Sequence, residues 1–164
     1  MMSEAQGASD GRWRLRPGQD ADKAFIERMT PRLAAQGKLP WHDKATILAF
    51  QRAYIAESLR DAAEDGLYLV AEDERGRPVG LAIAIMSEDE ISGEAAGLLR
   101  ILAVDESAEG QGLASELMRA VEDWARGRGW RLLLLDVFAA NGRAQNFYAR
   151  RGFAPDYIRM VATL

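Results

Sequence analysis

The sequence predicts a mixed α/β domain in which a central mixed sheet of six to seven strands carries about four helices, distributed over both faces. Three observations carry that expectation. Apolar runs of strand length are interspersed with longer segments whose apolar residues recur at helical spacing. The order along the chain reads β-α-α-β-β-β-α-β-α-β, and the passage from Leu98 to Phe138 has the length and pattern of a strand–helix–strand parallel crossover. At 164 residues, with no long Ser, Gly or Pro linker, the chain holds one core, expected over residues 12–164 behind a disordered tail at 1–11.

Each element has a local reason. Trp13 to Arg16 reads as a short first strand. In PGQDADKAFIERM, Asp20 can cap a helix carrying Phe25, Ile26 and Met29, and Pro31 predicts a kink or break. Asp43 caps KATILAFQRAYIAESLRDAAED, where Ile47, Phe50 or Gln51, Tyr54, Ile55 and Leu59 form an apolar stripe that Gly66 terminates. LYLVAEDE, the turn RGRP and VGLAIAIMSE read as a hairpin. After the acidic loop EDEISGEAAG, the residues Leu98, Leu99, Ile101, Leu102 and Val104 mark a strand, and Leu113, Leu117, Val121 and Trp124 an amphipathic helix. Trp130 to Phe138 is nearly continuous in apolar residues, the pattern of an interior strand covered on both faces. Asn141 opens a short helix bearing Ala144, Phe147 and Tyr148, Gly152 ends it, and PDYIRMVATL supplies a last strand.

Composition narrows the chemistry. Hydrophobic residues make up 48% and charged residues 28%, the balance of an ordinary globular domain. No apolar run approaches membrane-spanning length and MMSEAQGASDG has no apolar signal core, so a cytoplasmic location without membrane contact is expected. The absence of cysteine excludes disulfides, thiolate metal sites and a cysteine nucleophile. His42 is the sole imidazole and lies in the loop GKLPWHDK, so no histidine-based metal site is expected. A net charge of −4 without a basic run argues against nucleic acid as a partner.

The segment LAVDESAEGQGLA joins a strand to a helix through Gly110 and Gly112. Glycine permits positive φ and close approach of a ligand to the backbone, and the free N–H groups of the helix start favour an anion there. Two glycines before a helix also occur in plain tight connections. A second motif decides between these readings. The chain resembles the GNAT (Gcn5-related) N-acetyltransferase family, whose phosphate loop Q/R-x-x-G-x-G/A is matched at Gly112 and Ala114. Its N-x-x-A-x-x-F/L-Y-x-x-x-G-F pattern is matched at Asn141, Ala144, Phe147, Tyr148, Gly152 and Phe153.

The resemblance implies acetyl-CoA as cosubstrate, transfer of its acetyl group to a primary amine by direct attack, and no metal. It implies that Leu102, Ala103 and Val104 pair their main chain with the pantetheine arm. Glu109, Gly110, Gln111, Gly112, Leu113 and Ala114 would surround the pyrophosphate. Asn141, Ala144, Phe147 and Tyr148 would complete the cofactor site, with Tyr148 as the general acid for the leaving thiolate. Asn141 has an independent reading as a helix cap. The family's usual ending is a two-strand hairpin, whereas the segment after Phe153 offers one strand, with the seventh expected to be missing or merged. Its frequent Glu on the strand before the loop aligns with Leu98, which takes no proton. Glu90 and Glu94 in the preceding loop, Asp136 and a water chain are the remaining candidates for the base. The motif's leading Arg or Gln is Glu109, a carboxylate beside a site for phosphates. The expected acceptor is a small-molecule amine selected by the 37 to 64 segment and the 86 to 97 loop, with a protein N-terminus or a non-catalytic acyl-CoA sensor as alternatives and a homodimer possible.

Overall fold

A computed structural model describes residues 12–164; the tail expected at 1–11 lies outside the described residues. The strands are β1 (Arg14–Pro17), β2 (Leu67–Glu72), β3 (Pro78–Glu88), β4 (Ala95–Val104) and β5 (Leu133–Leu135). The helices are α1 (Lys23–Ala34), α2 (Lys44–Asp65), α3 (Leu113–Gly127) and α4 (Gly142–Arg150). The sheet order is β1-β2-β3-β4-β5, antiparallel throughout except for the parallel pair β4 and β5.

Alternation along the strands splits the core into two layers. Leu81, Ile83, Ile101 and Ala103 face α1 and α2, packing with Phe25, Ile26, Met29 and Ile55. Ala82, Ala84 and Leu99 face the other way, against Leu113, Leu117, Met118 and Val121 of α3, with Phe147 and Tyr148 of α4 packed on the same cluster. Small residues on the α3 side let that helix sit close. A Cβ on Gly80 would meet Leu113 Cδ2 at 2.9 Å.

Four sequence expectations change. The sheet has five strands among the described residues, and 154–164 form no regular structure. Ile158 and Met160 are 79% and 88% exposed. The three-residue β5 offers a short edge to pair with, and Pro155 lacks an N–H. The 130–138 run forms only β5, half-buried at the sheet edge rather than interior, because the strand parts from β4 after Leu135. Helix α1 runs through Pro31 to Ala34, and Asp20 opens a short 3-10 turn (Asp20–Asp22) instead of capping α1. On α2 it is Gln51 that is buried, while Phe50 is exposed and stacks on Tyr54 with ring centroids 5.7 Å apart. Asp43 and Gly66 bound α2 as expected, with Asp43 accepting from the Thr46 N–H at 2.7 Å.

The 3-10 turn has a different task. Asp22, 2% exposed, receives both Nη groups of Arg16 at 2.8 and 2.7 Å and the Gln19 N–H at 2.9 Å, and Arg16 Nε donates to Glu72 at 2.6 Å. This ties β1, β2 and the entry to α1 together. The Arg16 guanidinium holds the Asp22 carboxyl below its ordinary range. A depressed folded pKa adds stability that is present above the unfolded value of about 3.9 and is lost as pH falls through the folded pKa. Asp22→Asn is expected to lower the unfolding free energy by about 1–1.5 kcal/mol at neutral pH and to flatten the acid limb of a denaturation-against-pH curve. An unchanged acid limb would remove Asp22 from the network's energetics.

Candidate active site

Helix α3 starts at a loop whose backbone geometry is of the kind that suits an anion. Gly110 and Gly112 have φ of +70° and +89°, and Gly112 occupies the helix N-cap. The Ser115 and Glu116 N–H groups donate to the Gly112 carbonyl at 3.0 and 3.2 Å, whereas no N–H from Gly110 to Ala114 donates to another described group. Gly110, Gln111 and Gly112 are exposed, so these amides open to solvent at the positive end of the helix dipole. The Leu113 side chain, 1% exposed, belongs to the core, and Ala114 is half-buried; their contribution to a ligand is main-chain.

The loop lies at one end of an opening in the sheet. β4 and β5 pair as Gly97↔Leu133, Leu98↔Leu134 and Leu99↔Leu135, and then part. The Asp105 N–H donates to Val79 on the β3 side at 2.8 Å, so strand alternation turns the Val104 and Leu102 N–H groups toward the gap and Ala103 toward β3. At the head of the gap β4 carries a bulge. Ile83 faces Ile101 and Ala84 faces Leu99, which leaves Arg100 as the extra residue.

The second motif closes the other side. Asn141 caps α4, its side chain accepting from the Ala144 N–H at 3.1 Å. Ala144, Phe147 and Tyr148 are half-buried, and the latter two pack on the cluster that includes Leu102 and Val104. The Tyr148 ring lies between Phe147 and Phe153, at 5.3 and 5.7 Å between centroids. Burial pushes its phenol up to about 12, so it remains a proton carrier across the neutral range.

Glu109 is partnered rather than free. Arg32, from the end of α1, donates to it at 2.6 Å and also meets Glu106 at 2.7 Å, while Arg143 of α4 meets it at 3.2 Å. The two arginines neutralise the carboxylate at the mouth of the loop and link α1, the loop and α4. Arg32 carried no sequence signal, because its partner is 77 residues away.

Glu109→Gln is expected to free both arginines for a bound phosphate and to tighten acetyl-CoA by about 0.5–1 kcal/mol, with Glu109→Arg tightening it further and both effects larger at low salt. Calorimetry at two ionic strengths checks this. Affinity indifferent to both substitutions at low salt means that Glu109 does not face the pyrophosphate.

Glu90 and Glu94 are not brought to this gap. Glu90 sits in the turn between β3 and β4, and Glu94 pairs with Arg131 at 2.9 Å, six residues before Arg100, or about 20 Å along an extended strand. Asp136 is the first residue after β5, beside the gap, and is exposed. His42 is exposed in the loop before Asp43. Among the described residues, no group of three or more His, Cys, Asp or Glu side chains is placed to hold a metal, and no helix is long and apolar enough to cross a membrane.

A mixed sheet that opens between two parallel strands, with a loop of free amides at the start of the crossover helix, defines the architecture of an acyltransferase domain. The chain belongs to the acetyltransferase (GNAT) family, whose profile matches residues 26–153. A mycothiol acetyltransferase of Amycolatopsis mediterranei (strain U-32) is 29% identical over 140 residues, covering 84% of this chain and 44% of that protein. The chain thus spans less than half the length of this curated relative. Among solved structures, a putative acetyl transferase from Pyrococcus furiosus superposes with a TM-score of 0.77 at 18% identity, over 93% of this chain and 99% of its own. The aminoglycoside N-acetyltransferase AAC(6')-Iy, solved with CoA, superposes with a TM-score of 0.64 at 19% identity, over 93% and 94%.

Proposed function

We propose that the protein is an N-acetyltransferase that moves an acetyl group from acetyl-CoA to the primary amine of a small molecule by direct attack. The observation that carries this is the row of free amides from Gly110 to Ala114 leading into the open edge of β4. A pyrophosphate fits the amides, and an extended amide-bearing arm fits the Leu102 and Val104 main chain as an added strand. Bound there, acetyl-CoA supplies an activated thioester.

The chain's own groups then have defined tasks. A β4 amide at the bulge polarises the acyl carbonyl. Tyr148 holds the proton that the leaving sulfur needs, and its raised pKa makes that transfer depend on the energy released in forming the amide. Asp136, at the gap, relays the proton lost by the attacking amine to solvent, in place of the carboxylate that Leu98 lacks and that Glu90 and Glu94, at the far end of β4, are too distant to replace. The α2 segment and the loop before it, within 37 to 64, face the gap opposite α3 and form the acceptor wall.

The sequence relative named for mycothiol supports a small-molecule acceptor; a protein N-terminus remains the alternative acceptor. Absence of a carboxylate at Leu98 favours the second reading, a non-catalytic acyl-CoA sensor. The exposed apolar residues at 157–164 and the open edge of β5 would support a homodimer. Thiol release from acetyl-CoA across a panel of amines, with CoA binding measured in parallel, separates the readings: turnover with at least one amine is expected, and tight CoA binding without turnover on any of them supports the sensor.

A further inference from the structure

Arg100 is an anomaly on its strand. In AAGLLRILAV it is the one charged residue, it forms the bulge, and its side chain is only 11% exposed. A guanidinium removed from water needs compensation, and one carboxylate, on Glu57, supplies it at 3.0 Å. Nε donates to Ser58 Oγ at 3.1 Å, and the charge lies over the Tyr54 ring at 4.2 Å. Glu57 is itself 52% exposed, a weakly held partner for a buried cation.

The position matters as much as the chemistry. The β4–β5 ladder ends at Leu99↔Leu135, so Arg100 and Asp136 are the first residues past the last pair, one on each side of the opening. Leu99 faces α3, whereas Arg100 reaches Tyr54 and Ser58 of α2 and therefore lies on the acceptor side. Burial raises the pKa of the Tyr54 phenol, and Arg100 lowers and Asp136 raises it to a smaller extent, so both charges lie within electrostatic reach of that ring.

Building on the acetyl-transfer reading, we infer that Arg100 receives a carboxylate of the acceptor while Asp136 faces its amine, so that the acceptor is an amino acid or a close derivative with a free carboxylate. The planar guanidinium matches a carboxylate with two parallel hydrogen bonds, which an ammonium would not. In the free protein Glu57 holds the place of that group, and the acceptor's carboxylate displaces it. Orientation follows from the two ends. The carboxylate at the bulge and the amine toward Asp136 leave the nitrogen beside the gap where the thioester would lie. The stacked pair Phe50 and Tyr54 offers an apolar wall for the rest of the molecule.

The test uses the intact protein with acetyl-CoA and matched pairs of acceptors, each an amino acid and its decarboxylated amine, phenylalanine with 2-phenylethylamine among them. For the best pair, kcat/KM for the amino acid is expected to exceed that for the amine at least tenfold. Arg100→Gln erases the ratio by raising KM for the amino acid alone, and Arg100→Lys restores part of it. Glu57→Gln, at a half-exposed position where folding is not at issue, lowers KM for the amino acid because the competing carboxylate is gone. A purely structural Arg100–Glu57 bridge would leave the ratio unchanged in all three variants, and that result, or a ratio at or below one in every pair, overturns the inference. Absence of thiol release with any amine overturns the acetyl-transfer reading instead. The acceptor class is then read from binding alone. N-acetyl-L-phenylalanine is expected to bind the CoA-loaded protein at least tenfold more tightly than its uncharged methylamide, and equal binding overturns the inference.

Discussion

Tyr148→Phe is expected to lower turnover by about 10²–10⁴ while acetyl-CoA affinity stays within a few-fold of the parent. The substitution isolates one proton. The ring keeps its edge contacts with Phe147 and Phe153, and burial alone, with no hydrogen-bond partner among the described residues, sets the environment of the hydroxyl, so packing and stability are preserved. With the phenol pushed up to about 12 by burial, the parent enzyme should show no loss of this acid between pH 6 and about 10, since the group stays protonated throughout. Steady-state rates paired with calorimetric binding check both parts. Turnover within a few-fold of the parent would make Tyr148 a packing residue and return the thiolate's proton to solvent.

Gly112→Val is the second large effect, and it acts through the backbone. A Cβ at this position meets nothing within 4 Å, so crowding inside the protein is not the obstacle. The obstacle is φ of +89°, a conformation that a β-branched residue reaches at a cost of roughly 1–2 kcal/mol. The loop relieves that strain by turning away from the left-handed region, which takes the amides from Gly110 to Ala114 out of convergence. The added side chain also projects into the open space where a pyrophosphate would approach. CoA affinity is expected to fall at least tenfold, about 1.4 kcal/mol, with thermal stability reduced by no more than the strain. A folded variant that binds CoA as tightly as the parent would remove the loop from the site.

What could be read from the chain was whatever depends on neighbours in sequence. Gly110 and Gly112 before an amphipathic helix, Asn141 as a cap, Asp43 and Gly66 around α2, and the apolar runs of β3 and β4 are all local signals, and the structure obeys them. The errors lie where a distant partner decides. The apolar run 130–138 looked like an interior strand because periodicity does not report where a ladder stops. Here the ladder stops at Leu135, and the opening that results is the proposed acetyl-CoA site. The segment 154–164 has strand composition but no paired edge. The sequence shows Glu109 as a carboxylate beside the loop, and the structure adds that Arg32 and Arg143 reach it from α1 and α4. Arg100 did carry a local signal, a single charge within an apolar strand, and its meaning required the bulge to be seen.

Hydrogen exchange with and without acetyl-CoA tests the central claim most directly, because the proposed grip is made of main-chain amides. Ligand is expected to slow exchange at Leu102 and Val104, across Gly110 to Ala114 and at the start of α4, while the β1–β2 side of the sheet is unaffected; ADP alone should protect the loop but not the β4 edge. Binding that protects neither the loop nor the β4 edge, or acetyl-CoA and ADP giving the same pattern and affinity, would contradict the assignment of this opening as an acetyl-CoA site.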